Sequence, residues 1–501
     1  MALDVRGVGV KQVTLNTSEM EERTHAVKLL SEYIQFMGPA LAGHLQELAA
    51  AMLPNVSYWS SHTIRRTAAH CYARIVGAAA ASARTSGVPA GSDPATSAAL
   101  TAVVQIAQDG LVPLLKEVTR ECNDEARIAQ SEAVGDILGA LMCGGDLEVD
   151  ETPEYTQSSR PWFGVPLEMA VGIVRTMLGV LAKDVDSHMS TLKAVQEDPD
   201  ADETSLEMLD EQLEANDQVI RHCVDAIGYL IKVHRAAFLP IAEAHLVPVM
   251  HKLLHSDMPD HLNFCAMCTF TDLLEWCGEG GHKYTDVLMP AVLTGIGSDY
   301  PLLRQCALYT AGIMALQAPA AMVRMNVLDA TVRGCISVMG APDAQDEDNV
   351  HATENAVSTL GKLLLHVAPL QTSTTGAQPS AVANAASAYW KAWMQRLPLR
   401  EDVEEARWCN ATLSTAAATG NATMMGAGSP PANLPLALSV MGEVLVQAGG
   451  GGGEGALEVA DEQTLARIGA IFKQIQGSAP ALLQGLSPAA QAAAAAAASR
   501  A

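Results

Sequence analysis

The chain has 501 residues, more than one compact core usually holds, which leaves several globular domains or an elongated repeat array. Its 31 basic and 56 acidic residues give a formal charge of −25, which argues against nucleic acid or an anionic membrane as partner and suits basic proteins. Aromatics are only 4% of the chain, and Leu, Ala, Met and Val fill the periodic segments, a profile of helices rather than strands.

The opening MALDVRGVGVKQ lacks the apolar core of a secretory signal, and no unbroken apolar run of 18 or more residues suggests a membrane span. From there the chain reads as successive pairs of helical patterns. The first pair is Leu41–Met52 with Ser60–Ala80, and the second Leu111–Thr119 with Asp124–Leu141. The third is Pro166–Ala182 with Leu206–Val233.

Then comes an internal repeat. One unit runs from Leu246 (LVPVMHKLLHSDMPDHLNFCAMCTFTDLLEWCG) and the next from Val287 (VLMPAVLTGIGSDYPLLRQCALYTAGIMA). Pro248 and Pro290, Asp257 and Asp299, and Pro259 and Pro301 recur in one register. In the second helix of the first unit, Leu262, Cys265, Ala266, Thr269, Leu273 and Trp276 share one face of a 3.6-residue period. Leu303, Cys306, Ala307, Thr310 and Met314 do nearly the same in the next. The prolines of the Asp-Pro turn suit a first helical turn, and the aspartates are expected to accept from free N–H groups there. Asn326–Met339 with Val350–Val367 makes a further pair.

Two-helix repeats of about 40 residues are the HEAT/armadillo signature, in which hairpins stack because none buries its apolar face alone. Between the helices lie segments that read as surface loops: Ala81–Ser97, Asp146–Glu154, Glu197–Asp217, Gln371–Ser387, Gly420–Pro431 and Ala448–Gly455.

Catalytic and metal signatures are weak. Cys265 and Cys268 form a Cys-x-x-Cys, but only His282 follows at a spacing of interest, and both fit a buried helical stripe. The ten cysteines read as reduced thiols in a cytosolic or nuclear protein. The Gly449–Gly453 run lacks the Gly-Lys-Ser/Thr of a phosphate loop. Trp276, Trp390 and Trp393 read as packing residues. No enzyme activity, cofactor or metal is expected.

The candidate binding residues are acidic. Glu197–Asp217 holds ten carboxylates and no Lys or Arg, beginning with Glu197, Asp198, Asp200, Asp202 and Glu203. It is either an electrostatic lure for a Lys/Arg-rich partner or a solvated loop joining two helices. Asp346, Glu347 and Asp348 form a second, smaller acidic candidate.

Several blocks resemble the importin-β (karyopherin-β) family, in the C-terminal half of its receptors. They are VRGVGVKQVTLNTSEMEERTHAVKLLSEYIQFMG, HRAAFLPIAEAHLVPVMHKLL, KYTDVLMPAVLTGIGSDYPLLRQCALYTAGIMA with Arg304 at the common repeat arginine, DEDNVHATENAVSTLGKLL, WKAWMQRLPLREDVEEARWCN and DEQTLARIGAIFKQIQ. Their order is collinear, and ATENAVSTLGK and LPLREDVEEA are the most specific. The resemblance implies an all-α HEAT solenoid: an array over 1–395 with acidic and Ala/Gly-rich insertions, HEAT-like helices over 396–490, and a low-complexity Ala tail over 491–501. It implies a transport receptor that shuttles between cytoplasm and nucleus and binds basic cargo of ribosomal or histone type, Ran-GTP and FG nucleoporins, with no direct nucleic-acid contact and no membrane insertion. The half carrying the family's principal Ran contacts is expected to lie outside this chain. A non-transport HEAT scaffold is the alternative.

Overall fold

In a computed structural model, residues 2–5, 9–12, 17–92, 97–145, 160–197, 203–255, 257–373, 380–449 and 459–501 are described. They form two compact units, Met1–Lys252 and Leu253–Ala501. Both are built from stacked helical hairpins, an all-α solenoid as expected. Among the described residues the strands are limited to β1 (Ala2–Val5) and β2 (Gly9–Gln12), an antiparallel hairpin in which Ala2 faces Gln12.

The first unit contains α1 (Thr17–Met37), α2 (Leu45–Val56), α3 (His62–Thr85), α4 (Ala98–Val118), α5 (Asp124–Cys143), α6 (Leu167–Glu197) and α7 (Glu203–His234). The turn α8 (Leu239–Ile241) leads through a wider turn at Ala242–Leu246 into α9 (Val247–Leu253), where the unit ends. The helices form two rows. In one, α1, α3, α5 and α7 pack in sequence; in the other, α2, α4 and α6 do. Side-chain caps start the helices: the Ser61 hydroxyl accepts from the Ile64 N–H, and the Asn123 side chain from that of Ala126. Gly144, at φ 72°, ends α5 in the left-handed conformation.

Packing in this unit is tight enough to dictate a glycine. A Cβ at Gly110 of α4 would stand 1.9 Å from Tyr72 Cε1 of α3. The Tyr72 hydroxyl donates to the Ile106 carbonyl at 2.8 Å, fixing the ring in that gap. By length and mean hydropathy α4 also passes for a membrane span, although Gln105, Gln108, Asp109 and Lys116 interrupt its apolar run. Its apolar face is occupied within the unit, with Leu100, Val103, Ala107, Leu111 and Leu114 buried between the neighbouring helices.

The second unit contains α10 (Asp260–Trp276), α11 (Thr285–Gly295), α12 (Pro301–Gln317), α13 (Pro319–Met325), α14 (Leu328–Met339), α15 (Val350–Lys362) and α16 (Ala368–Ser373). It continues with α17 (Ala381–Asn384), α18 (Ala386–Met394), α19 (Val403–Thr419), α20 (Ala422–Met425), α21 (Leu434–Gly449), α22 (Glu462–Ser478) and α23 (Pro488–Arg500). Here α10, α12, α15, α19, α22 and α23 pack in sequence, with α11, α14 and α17 along the other side. The helices after residue 396 continue this stack, α19 lying on α15 and α22 on α19. The Ala-rich segment read as a tail is mostly helix: α23 packs on α21 and α22, burying Ala490, Ala494, Ala497 and Ala498.

Every residue of the two predicted stripes, Leu262 to Trp276 and Leu303 to Met314, is buried. The opposite faces are buried too, at Phe270, Leu274, Leu308 and Ile313, because each helix lies between two neighbours. Pro301 is the first residue of α12 as expected, whereas the aspartates do not cap. Asp257 and Asp299 are exposed, and Ser298 takes the role instead. Its hydroxyl accepts from the Tyr300 N–H at 3.0 Å and donates to Asp260 Oδ2 at 2.5 Å, joining the starts of α12 and α10.

Candidate protein-binding surfaces

Successive hairpins are pinned at their turns by one recurring device. In the first unit Arg65 donates to Glu121 Oε2 at 2.6 Å and Oε1 at 2.8 Å, and also to the Tyr58 carbonyl at 2.9 Å. In the second, Arg304 donates to the Ser298 carbonyl at 2.5 Å and to Asn349 Oδ1. Each arginine reaches back to the turn before its helix and forward to the turn of the next hairpin. Asn349 in turn donates to Asp343 Oδ2 at 3.1 Å, which orders the acidic turn beyond it. Asp346, Glu347 and Asp348 are exposed on that turn. Unlike the longer acidic segment, they form no stripe.

The larger acidic region departs from the sequence reading. Asp198, Asp200 and Asp202 lie outside the described residues, as do the side chains of Glu197 and Glu203. The rest of the segment is helix, as read from Leu206 onward, with α7 starting three residues earlier and α6 running fifteen residues past Ala182: α6 has 31 residues and α7 has 32, about 47 Å each at 1.5 Å per residue. In α7 the buried positions begin at Asn216, and the turns before it are exposed or half-buried. Glu207, Asp210, Glu211 and Glu214 follow at i, i+3, i+4 and i+7, all exposed, and make one acidic stripe. Met208 is 66% exposed beside them. These four carboxylates were missed as site residues, although their helical spacing was a readable signal.

A second surface feature is a pocket of about 350 Å³ between α10, α11 and α12. Leu254, Met267, Val287, Pro290, Ala291 and Leu303 give it apolar walls, and Asp260 and Asn263 add polar ones. It is wide enough for one or two apolar side chains.

One group in the first unit has a donor set that can hold a metal: His70 on α3 with Glu132 and Asp136 on α5, donor atoms within 4.8 Å of one another. His70 Nδ1 is 3.8 Å from Glu132 Oε2. Burial, then Arg74 and Arg66, push His70 down to about 4, and burial, Arg221 and His70 push His222 down to about 4. Arg66 is engaged by Glu125 and Arg74 by Ser31, and we read the group as part of a structural polar network. The tryptophans expected to pack do so: Trp390 and Trp393 are buried edge to face with ring centroids 5.2 Å apart, and Trp276 is 9% exposed.

The two blocks that carried the family resemblance meet in the second unit. Glu354 of ATENAVSTLGK accepts from the backbone N–H groups of Arg400, Glu401 and Asp402 in LPLREDVEEA, at 2.7, 3.0 and 2.7 Å. Asn355 donates to Asp402 Oδ2 at 2.9 Å, and Lys362 to Glu405 at 2.6 and 2.7 Å.

No family model matches the chain. Among curated proteins it is 22% identical over 367 residues to importin subunit beta-3 of Saccharomyces cerevisiae, covering 72% of this chain and 29% of that protein. This match agrees with the resemblance to the karyopherin-β family read from the sequence blocks. Solved structures agree on its fold. A crystal structure of the karyopherin Kap121p bound to the SUMO protease Ulp1p superposes with a TM-score of 0.63 at 17% identity, over 95% of this chain and 37% of that one. Kap121p bound to Ste12p gives 0.62 at 17% identity, over 99% and 37%. Kap121p bound to RanGTP gives 0.58 at 15% identity, over 88% and 36%. The chain spans about a third of the length of the relatives it matches.

Proposed function

We propose that the chain forms part of a nuclear import receptor and takes basic protein cargo on the acidic tip of the α6–α7 hairpin. The observation that carries this is the exposed stripe Glu207, Asp210, Glu211 and Glu214 on helix turns that precede the buried part of α7. Four carboxylates on one rigid face attract a Lys/Arg-rich segment, guide its encounter and hold it by charge-assisted hydrogen bonds, while Met208 supplies an adaptable apolar contact. Glu197, Asp198, Asp200, Asp202 and Glu203 add to the same negative field, and Asp346, Glu347 and Asp348 offer a second, weaker contact.

The other partners follow from the relatives. Kap121p has been crystallised with RanGTP, with Nup53p and with Pho4p. We carry these classes over as Ran-GTP, an FG nucleoporin and basic cargo of ribosomal or histone type. The pocket between α10 and α12 suits a nucleoporin's aromatic side chain. Cargo release by Ran-GTP requires that the two ligands bind with unfavourable coupling, each favouring a different arrangement of the stacked hairpins. The receptor shuttles between cytoplasm and nucleus and performs no chemistry.

Fluorescence anisotropy of a labelled Lys-rich histone-tail peptide tests this, with Ran-GTP or Ran-GDP added. The expected result is binding that weakens with salt and is displaced by Ran-GTP but not by Ran-GDP. Binding indifferent to nucleotide would remove the transport reading and leave a scaffold.

A further inference from the structure

We infer that Cys268 and Cys306 form an oxidation site, a thiol pair that peroxide closes into a disulfide between consecutive hairpins. The Cys-x-x-Cys of Cys265 and Cys268 looks like the redox unit in the sequence, but the geometry pairs differently. Cys268 Sγ on α10 lies 3.5 Å from Cys306 Sγ on α12. Cys268 and Cys306 are both free thiols.

The approach is built into the seam. The hydroxyls of Thr271 and Thr310, about one helical turn along from the two thiols, are 2.7 Å apart and buried. Each hydroxyl also lies within reach of a carbonyl on its own helix, Thr271 of Met267 at 2.8 Å and Thr310 of Cys306 at 2.7 Å, so one hydroxyl donates across the seam and the other donates to its own carbonyl. This bridge holds α10 and α12 in register and keeps the thiols opposed. Closing from 3.5 Å to a bond of about 2.05 Å needs a shift that side-chain rotation and a small helix movement supply.

The two sulfurs also differ in access. Cys268 is half-buried, whereas Cys306 is 8% exposed. An oxidant meets Cys268 first. Its sulfur attacks peroxide to give a sulfenic acid, with water as the other product. The Cys306 sulfur then attacks the sulfenic sulfur, the S–S bond forms, and the hydroxyl leaves as a second water. Two thiols lose two electrons and peroxide gains them. The thiol of Cys268 is held well above its ordinary range, first by its contact with Cys306 and then by burial, so the reaction speeds up as pH rises. The bond ties two adjacent hairpins at mid-helix and stiffens that step of the stack.

Peptide mapping under non-reducing conditions tests the site, because trypsin separates the partners. Cys306 stands as the lone cysteine of the peptide 305–324, while Cys265, Cys268 and Cys277 share 253–283. The full chain is treated with hydrogen peroxide at pH 7 and pH 9, and the monomer is digested. The expected result is a cross-linked pair of these peptides, lighter than their sum by two hydrogens. It forms several-fold faster at pH 9, is lost in Cys268→Ala and in Cys306→Ala, and is kept in Cys265→Ala and Cys277→Ala. A cross-link that survives Cys268→Ala, or oxidation ending at sulfinic acid with no cross-link, would overturn the assignment, as would thiols left unoxidised.

Discussion

Lys362 Nζ and Glu405 Oε2 stand 2.6 Å apart with their side chains 4% and 7% exposed, a buried ion pair joining α15 to α19. Ser358 donates to the same carboxylate, and the ammonium also lies 5.4 Å from the Trp408 ring and 5.9 Å from that of Tyr309. A buried pair contributes little net stability over apolar replacements, yet removing one partner strands the other. Glu405→Ala is therefore expected to destabilise the second unit by about 3–5 kcal/mol, and the double variant Lys362→Met/Glu405→Met to recover most of that. Urea unfolding of the three proteins measures it. A double variant as unstable as the single one would show that the pair itself holds the seam.

Gly110 faces the Tyr72 ring too closely for any side chain. Gly110→Ala forces the ring or α4 to move, which typically costs about 1–3 kcal/mol. Gly110→Ala in a Tyr72→Leu background is expected to cost much less, since the ring is gone. Thermal unfolding of the two pairs checks this, and equal costs in both would contradict the packing account.

Acid should weaken the first unit. His70 and His222 stay neutral down to about 4 against an ordinary 6.5, mainly because they are buried. Below pH 6.5 the unfolded chain takes these protons and the folded chain does not, so stability falls as pH drops to about 4 and then levels off. Asp184 opposes this. Burial raises it to about 6 despite Arg127, so the folded chain holds its proton more tightly, and acid between pH 6 and 3.8 stabilises. Two displaced imidazoles outweigh one carboxyl. Melting temperatures are expected to fall from pH 7 to pH 5, with a shallower slope in His70→Gln/His222→Gln. A flat profile in the parent chain would contradict the assignment.

The hairpins were legible because their apolar positions recur at helical spacing, and the stripes from Leu262 and Leu303 came out as buried faces. The helical ends of α6 and α7 outside Pro166–Ala182 and Leu206–Val233 were not, since dense carboxylates without apolar periodicity read as loop. Leu, Met, Gln and Glu are nevertheless good helix formers, and each helix has the other to pack against. The Ala-rich end misled for the same reason: low complexity hides a small-residue face that sits closely on α21, where a Cβ at Gly442 would come 2.8 Å from Ala490 Cβ. The caps at Ser298 and the Lys362–Glu405 seam were beyond reach, because both depend on partners 38 to 43 residues away. The four carboxylates of α7 lie inside the helical pattern read from Leu206, so their stripe was legible from their spacing.

The central claim is that the acidic face of α7 receives basic cargo. The direct measurement is the affinity of the Lys-rich peptide for the parent chain and for Glu207→Gln/Asp210→Asn/Glu211→Gln/Glu214→Gln. These substitutions are exposed and nearly isosteric, so the fold should be kept. The expected result is a loss of at least tenfold in affinity, about 1.4 kcal/mol, with a much weaker salt dependence. Unchanged affinity in a folded variant would contradict the claim and place the cargo elsewhere on the stack.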